Sequence, residues 1–142
     1  MKMDKHLNPV NLKPVMNAYP ECSFILSILT AEGDDHYLPW LYSDYVHAIY
    51  NTTDHRYAFY AYNLFRAEEG LMTRHIFEVS KDLTYCDDAV LNMVLSMLGH
   101  GHYLTCWMNE RYVPNRGSYH EQDFDHNNLI YGFDTAERLF FI

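Results

Sequence analysis

Three things are scarce in this chain: long apolar runs, basic residues and paired cysteines. No stretch of the 142 residues approaches the roughly 18 consecutive apolar residues of a membrane span. The opening Met1-Lys2-Met3-Asp4-Lys5-His6 leads into polar residues and prolines rather than the apolar core of a signal peptide, so a cytoplasmic protein is expected. Ten Lys and Arg stand against nineteen Asp and Glu, a formal net charge of −9, and the basic residues do not cluster. A phosphate backbone or an anionic membrane surface would be repelled, so neither nucleic acid nor membrane is expected as a partner. The three cysteines, Cys22, Cys86 and Cys106, are odd in number and lack CxxC spacing, which fits neither a disulfide framework nor a zinc ribbon. Internal repeats, low-complexity tracts and Gly/Ser linkers are absent too, and one domain spanning 1–142 is expected.

What is present is a well-supplied core. Hydrophobic residues make up 49% of the chain and aromatics 16%, far from a disordered composition. Pro9, Pro14 and Pro20 mark the first twenty residues as an extended lead-in, with organised structure expected only after Pro20. Over 21–30, Phe24, Ile25, Ile28 and Leu29 fall at helical spacing, and Gly33 closes the segment. Two aromatic and β-branched stretches, 41–50 and 57–65, read as strands about the turn-like Asn51-Thr52-Thr53-Asp54, although Trp40, Leu41, Asp44, Tyr45, Ala48 and Ile49 also suit a helix. The clearest element is a helix over 87–98, with Asp87 or Asp88 as cap, the stripe Val90, Leu91, Val94, Leu95 and Leu98, and Gly99 as terminator. A strand over 103–112, a polar loop over 113–125 and strands over 128–133 and 138–142, joined by a hairpin at 134–137, complete an α+β pattern.

The segment Asp125-His126-Asn127-Asn128-Leu129-Ile130-Tyr131-Gly132-Phe133-Asp134, followed by Arg138-Leu139-Phe140-Phe141-Ile142, resembles the histidine strand of papain-like cysteine enzymes. More closely, it looks like bacterial proteins related to the N-terminal domain of butirosin biosynthesis protein H, and, at greater distance, the double-glycine leader peptidases of bacteriocin exporters. Asn8-Pro9-Val10, the Cys near residue 20, Trp40-Leu41-Tyr42-Ser43-Asp44-Tyr45 and Tyr112-Val113-Pro114-Asn115 agree with the same likeness. The resemblance implies a papain-like (cysteine-proteinase-like) fold, with N-terminal helices packed on an antiparallel sheet, in a bacterial peptide or natural-product pathway.

It also implies roles. Cys22, at a helix start where unpaired amides favour a thiolate, is the candidate nucleophile. His126 is the candidate base, taking the thiol proton and returning it to a leaving amine. The Cys22 amide and the Asn17 side chain are candidate oxyanion donors. Two departures stand out. Met16-Asn17-Ala18 lacks the glutamine that such enzymes often carry before the cysteine, and the chain ends at Ile142, where the residue that orients the histidine is expected soon after. Either the orienter is absent or Asp134 or Asn127 replaces it, and the chain is expected to be truncated or split from a longer protein. A triad without its orienter loses orders of magnitude in rate. The competing reading is therefore a catalytically inactive papain-like domain that docks a carrier protein, peptide or enzyme partner.

Blander readings apply to each residue. Cys22 beside Phe24 and Ile25 suits a small core hydrophobe, and His126 suits a loop-fixing residue. Cys86 and Cys106 read as structural. His100 and His102, with His120, Asp125 and His126 downstream, raise a zinc hydrolase as a third possibility, but the flanking Gly99 and Gly101 make the HxH pair a turn, and no cofactor or metal is expected. The acidic pairs Asp34-Asp35, Glu68-Glu69 and Asp87-Asp88 read as solvated surface and caps. An exposed last strand over 138–142 would be a sheet edge, through which a homo-oligomer or a second polypeptide is expected to pair.

Overall fold

The computed structural model describes residues 4–15, 20–33, 35–44, 48–59, 72 and 88–142. It is a mixed fold of helices and antiparallel strand pairs, hence α+β. Its contacts gather into two compact units, Met1–Pro9 with Glu78–Ile142, and Val10–Phe77. Among the described residues no helix is long and apolar enough to cross a membrane.

In the first unit, β1 (Lys5–Leu7) lies inside the segment expected to be an unorganised lead-in. It is ordered by long-range pairing, antiparallel to β6 (Gly132–Asp134), which pairs on its other side with β7 (Leu139–Phe141). Local proline signals cannot report such a partner, because the ladder hydrogen bonds come from residues far along the chain. The expected hairpin at 134–137 is present, with the Asp134 carboxylate accepting from the amides of Ala136 and Glu137. Helix α3 (Ala89–Gly99) packs on β1 and β6. Leu98, Ile130 and Phe133 form the buried centre of this unit, lined by Val94, Leu95, Leu104 and Cys106. Leu91, expected in the apolar stripe, is exposed.

The end of α3 departs from expectation by two residues. Gly99 is still helical, and the left-handed residue is Gly101, with φ of 83°. The Gly101 amide donates to the Leu98 carbonyl and the His102 amide to the Met97 carbonyl, the paired bonds of a Schellman cap. At the other end Asp88 flanks the helix, but its side chain makes no capping bond.

The expected strand over 103–112 is shorter: β4 covers Leu104–Asn109, and Glu110–Tyr112 turn into a short 3-10 helix. Its partner β5 (Asp125–Ile130) starts three residues earlier than expected and pairs antiparallel with it along its whole length. The expected strand 128–133 is divided at Tyr131, where the chain passes from the β4 pairing to the β1 and β7 pairings. Tyr131 holds the crossing, its amide donating to the Phe141 carbonyl and its carbonyl accepting from the Asn8 amide.

In the second unit, α1 (Pro20–Leu29) matches the expected helix, with Pro20 in the first-turn position where its missing N–H costs nothing. Leu26 is fully buried and forms a small core with Tyr37 and Leu41, flanked by Leu29, Leu38 and Trp40. The helix end is tied to the lead-in: the Asn11 amide donates to the Ser27 carbonyl, and its side chain donates to the Thr30 hydroxyl. The expected strand over 41–50 is corrected in its first half, since Leu38–Asp44 form helix α2. Tyr37, Leu38 and Leu41 meet one core only with helical spacing, so three-and-four periodicity prevails over the β propensity of the aromatics. The second half, β2 (Ala48–Asn51), pairs with β3 (Arg56–Phe59) about the expected turn. The rest of the expected strand, 60–65, lies outside the described residues.

Candidate functional site

The local sequence around Asn109 builds a clip at the open end of the β4–β5 pair. The Asn109 side-chain oxygen accepts from the amides of Arg111 and Phe124, at 3.0 and 3.2 Å, and its amide group donates to Asp123 at 2.8 Å. The Glu110 amide donates to the Phe124 carbonyl at 2.8 Å. Asparagine suits this place because its short side chain both accepts from the first free amides of a helical turn and donates across it. Both ends of the loop 113–124 are thereby fixed, and Glu110 stands beside the start of β5.

The register sets His126 opposite Met108, on the face of the pair that also carries Asn128, Cys106, Leu104 and Ile130. This face runs from the core at Leu104 and Ile130 to a rim at His126. There the Nδ1 of His126 lies 2.9 Å from Oε1 of Glu110, whose side chain is only 8% exposed. The imidazole itself is 40% exposed, with the Phe124 ring 5.6 Å away. A carboxylate can only accept, so the proton of this bond sits on Nδ1 and the lone pair of the neutral ring on Nε2. Among the described residues Nε2 has no hydrogen-bond partner.

Two further side chains complete the cluster. Nε of Arg116 lies 3.9 Å from the same Glu110 oxygen, and a terminal nitrogen of its guanidinium donates to the side-chain oxygen of Asn128 at 2.9 Å. Asn128, 1% exposed, returns its amide group to the His126 carbonyl at 2.9 Å. A buried carboxylate is tolerated only when paired, and here His126 and Arg116 supply the pairing. The arrangement can hold a partly exposed imidazole in one tautomer, with Nε2 unpartnered among the described residues, which is what a general base needs.

Of the other residues expected in the site, Asp134 and Asn127 fall outside this cluster. Asp134 does not orient His126. Its Oδ1 is taken by the 134–137 hairpin and its Oδ2 lies 3.6 Å from Lys5 Nζ. Asn127, next to His126, belongs to the opposite face of β5, and among the described residues its buried side-chain oxygen has no partner. Cys22 is the third residue of α1, in its first turn, while its side chain, like all of Asn17 and Cys86, lies outside the described residues. Cys106 is a free thiol on the inner face of β4, and burial pushes it above the ordinary thiol range, which makes it a poor nucleophile at neutral pH.

The HxH pair does sit in a turn, the Schellman cap of α3, with Nδ1 of His100 held 2.6 Å from the Ser96 carbonyl. Among the described residues no three His, Cys, Asp or Glu side chains converge as a metal-binding group.

The residue that the sequence reading passed over is Glu110. Extending the strand to residue 112 hid it among alternating positions. The signal was the hairpin register: closing 103–112 on the segment that begins at Asp125 brings the end of the first strand beside His126, and Glu110 is the carboxylate there.

No protein-family model, no curated protein and no solved structure matches this chain.

Proposed function

We propose that the protein is a papain-like acyltransferase or amide hydrolase of a bacterial peptide or natural-product pathway, in which His126 is the general base and Cys22 the nucleophile. The observation that supports this reading is the 2.9 Å contact between His126 Nδ1 and the buried Glu110 carboxylate. It supplies the orienting group that the sequence resemblance lacked, from a residue that precedes the histidine rather than follows it. In this scheme Nε2 of His126 removes the Cys22 thiol proton, the thiolate attacks an acyl carbon, and the imidazolium, stabilised by Glu110, returns the proton to the leaving group. An acyl-enzyme results, and an amine or water releases it.

The scheme makes the tautomer of His126 measurable. Long-range proton–nitrogen spectra of the neutral imidazole are expected to show Nδ1 protonated in the wild type. Glu110→Gln should shift the ring toward the Nε2–H form, because the glutamine amide can donate to Nδ1. A wild-type ring already protonated on Nε2, or a Glu110→Gln ring unchanged, contradicts the orienting role.

A second reading is favoured by β7. Leu139, Phe140 and Ile142 are exposed, and among the described residues β7 forms the edge of its three-stranded sheet. A catalytically silent papain-like domain that docks a carrier protein, a peptide, a second polypeptide or another copy of itself would use such an edge. Light scattering over a range of concentrations separates self-pairing from a monomer.

A further inference from the structure

We infer that Arg116 is a binding residue for a carboxylate on the substrate, so that the acyl donor or acceptor handled beside His126 carries an acidic group next to the reacting bond. This rests on the general-base reading of His126 and names the substrate class of that same site.

An arginine has five N–H donors in a fixed fork, and two parallel bonds to a carboxylate are its strongest use. Arg116 does not use them that way. Its fixed bond is to the neutral side-chain oxygen of Asn128, and Glu110 meets only Nε, at 3.9 Å, too far for a hydrogen bond. Among the described residues the guanidinium therefore spends one donor, on an amide, and its charge is not consumed by a bidentate ion pair.

Its position is nevertheless built. Asn128 is nearly fully buried, so its oxygen is a rigid anchor. Ahead of Arg116, Asn115 adopts a left-handed backbone with φ of 66°, which asparagine tolerates better than most residues. After it, the Tyr119 amide donates to the Arg116 carbonyl, and the amides of Glu121 and Gln122 donate to the buried Ser118, closing the loop on itself. The side chain stays 38% exposed, much as His126 does, and both meet the same oxygen of Glu110.

A partly exposed cation with unspent donors therefore lies beside the same Glu110 oxygen as the candidate base. In a chain of net charge −9 a general attraction for anions is absent, so binding here would be local to this guanidinium. Arg116 is preorganised, and the entropy cost of fixing it has been met in folding rather than on binding.

Acetate is the probe, titrated into the full chain against sodium chloride at equal ionic strength, with the Arg116 Nε–H and the His126 ring nitrogens followed by NMR. The expected result is a saturable shift with one dissociation constant at both residues, absent with chloride. Arg116→Gln should abolish it, and Arg116→Lys, which keeps the charge but loses the fork, should weaken it about tenfold or more. A linear response, an equal response to chloride, or a shift that survives Arg116→Gln with the amide spectrum otherwise folded, overturns the proposal. The wild-type tautomer of His126 is read in the same spectra without acetate. A ring protonated on Nδ1 with no acetate site fails this inference alone, whereas a ring protonated on Nε2 fails the base reading on which it rests.

Discussion

Gly132→Ala is expected to detach β1 from its sheet and to destabilise the first unit by about 3 kcal/mol or more, toward the upper end of what overpacking costs. A Cβ at this position would lie 2.5 Å from the His6 carbonyl oxygen and 2.8 Å from a methyl of Leu7. The first clash is with backbone, which rotation of a side chain cannot relieve. The register explains why a glycine is needed: Gly132 faces Leu7 on one side and Phe141 on the other, and Leu7 and the His6 carbonyl occupy the space that its own side chain would fill. Thermal unfolding should fall by roughly 10 °C. Hydrogen exchange should quicken first at the amides of Asn8 and Thr135, which bond across the junction to Tyr131 and Asp4. Unchanged exchange at those amides and an unchanged melting temperature would show that the junction accommodates the added methyl without separating the strands, and would contradict this expectation.

Asn8→Ala should cost about 2–3 kcal/mol, from the loss of a buried amide group that donates two hydrogen bonds. Asn8 is 6% exposed, and its amide group donates to the carbonyls of Leu98 and His102, at 3.2 and 2.8 Å, while its oxygen faces His6 Nε2 at 2.8 Å. One side chain thus joins the lead-in to the end of α3, where carbonyls lack helical partners. Tyr103 reinforces the same junction by donating to the Pro9 carbonyl. Denaturant melts give the stability change, and Asn8→Asp serves as a contrast, since it keeps the shape but replaces the donor by an acceptor facing two carbonyls. The aspartate should be at least as damaging as the alanine. An aspartate that restores wild-type stability would contradict the assigned donor role.

These two positions also show where the sequence was legible. Elements set by local rules came through: α1 from its apolar spacing and Pro20, α3 from its stripe, the β2–β3 turn and the 134–137 hairpin from their turn residues. What failed depended on distant partners. Pro9 and Pro14 concealed β1, whose ladder comes from residues near the other end of the chain. The division at Tyr131 could not be seen because apolar residues continue through it while the pairing partner changes. At the candidate site, the sequence pointed to His126 as a base, the role proposed above. The carboxylate beside it was not legible, since Asp134 is near in sequence but committed to a hairpin, whereas Glu110 becomes a neighbour only through the β4–β5 register. Arg116 reaches the same carboxylate by the loop between those strands.

The central claim, a base at His126 acting on Cys22, is tested most directly by the rate of Cys22 alkylation by iodoacetamide as a function of pH. The modified Cys22 peptide is followed by mass spectrometry so that Cys86 and Cys106 do not contribute. A reactive limb well below the ordinary thiol range of about 8.5 is expected, lost in His126→Ala and weakened in Glu110→Gln. A profile that rises only near the ordinary thiol value and is the same in wild type and His126→Ala would contradict the claim.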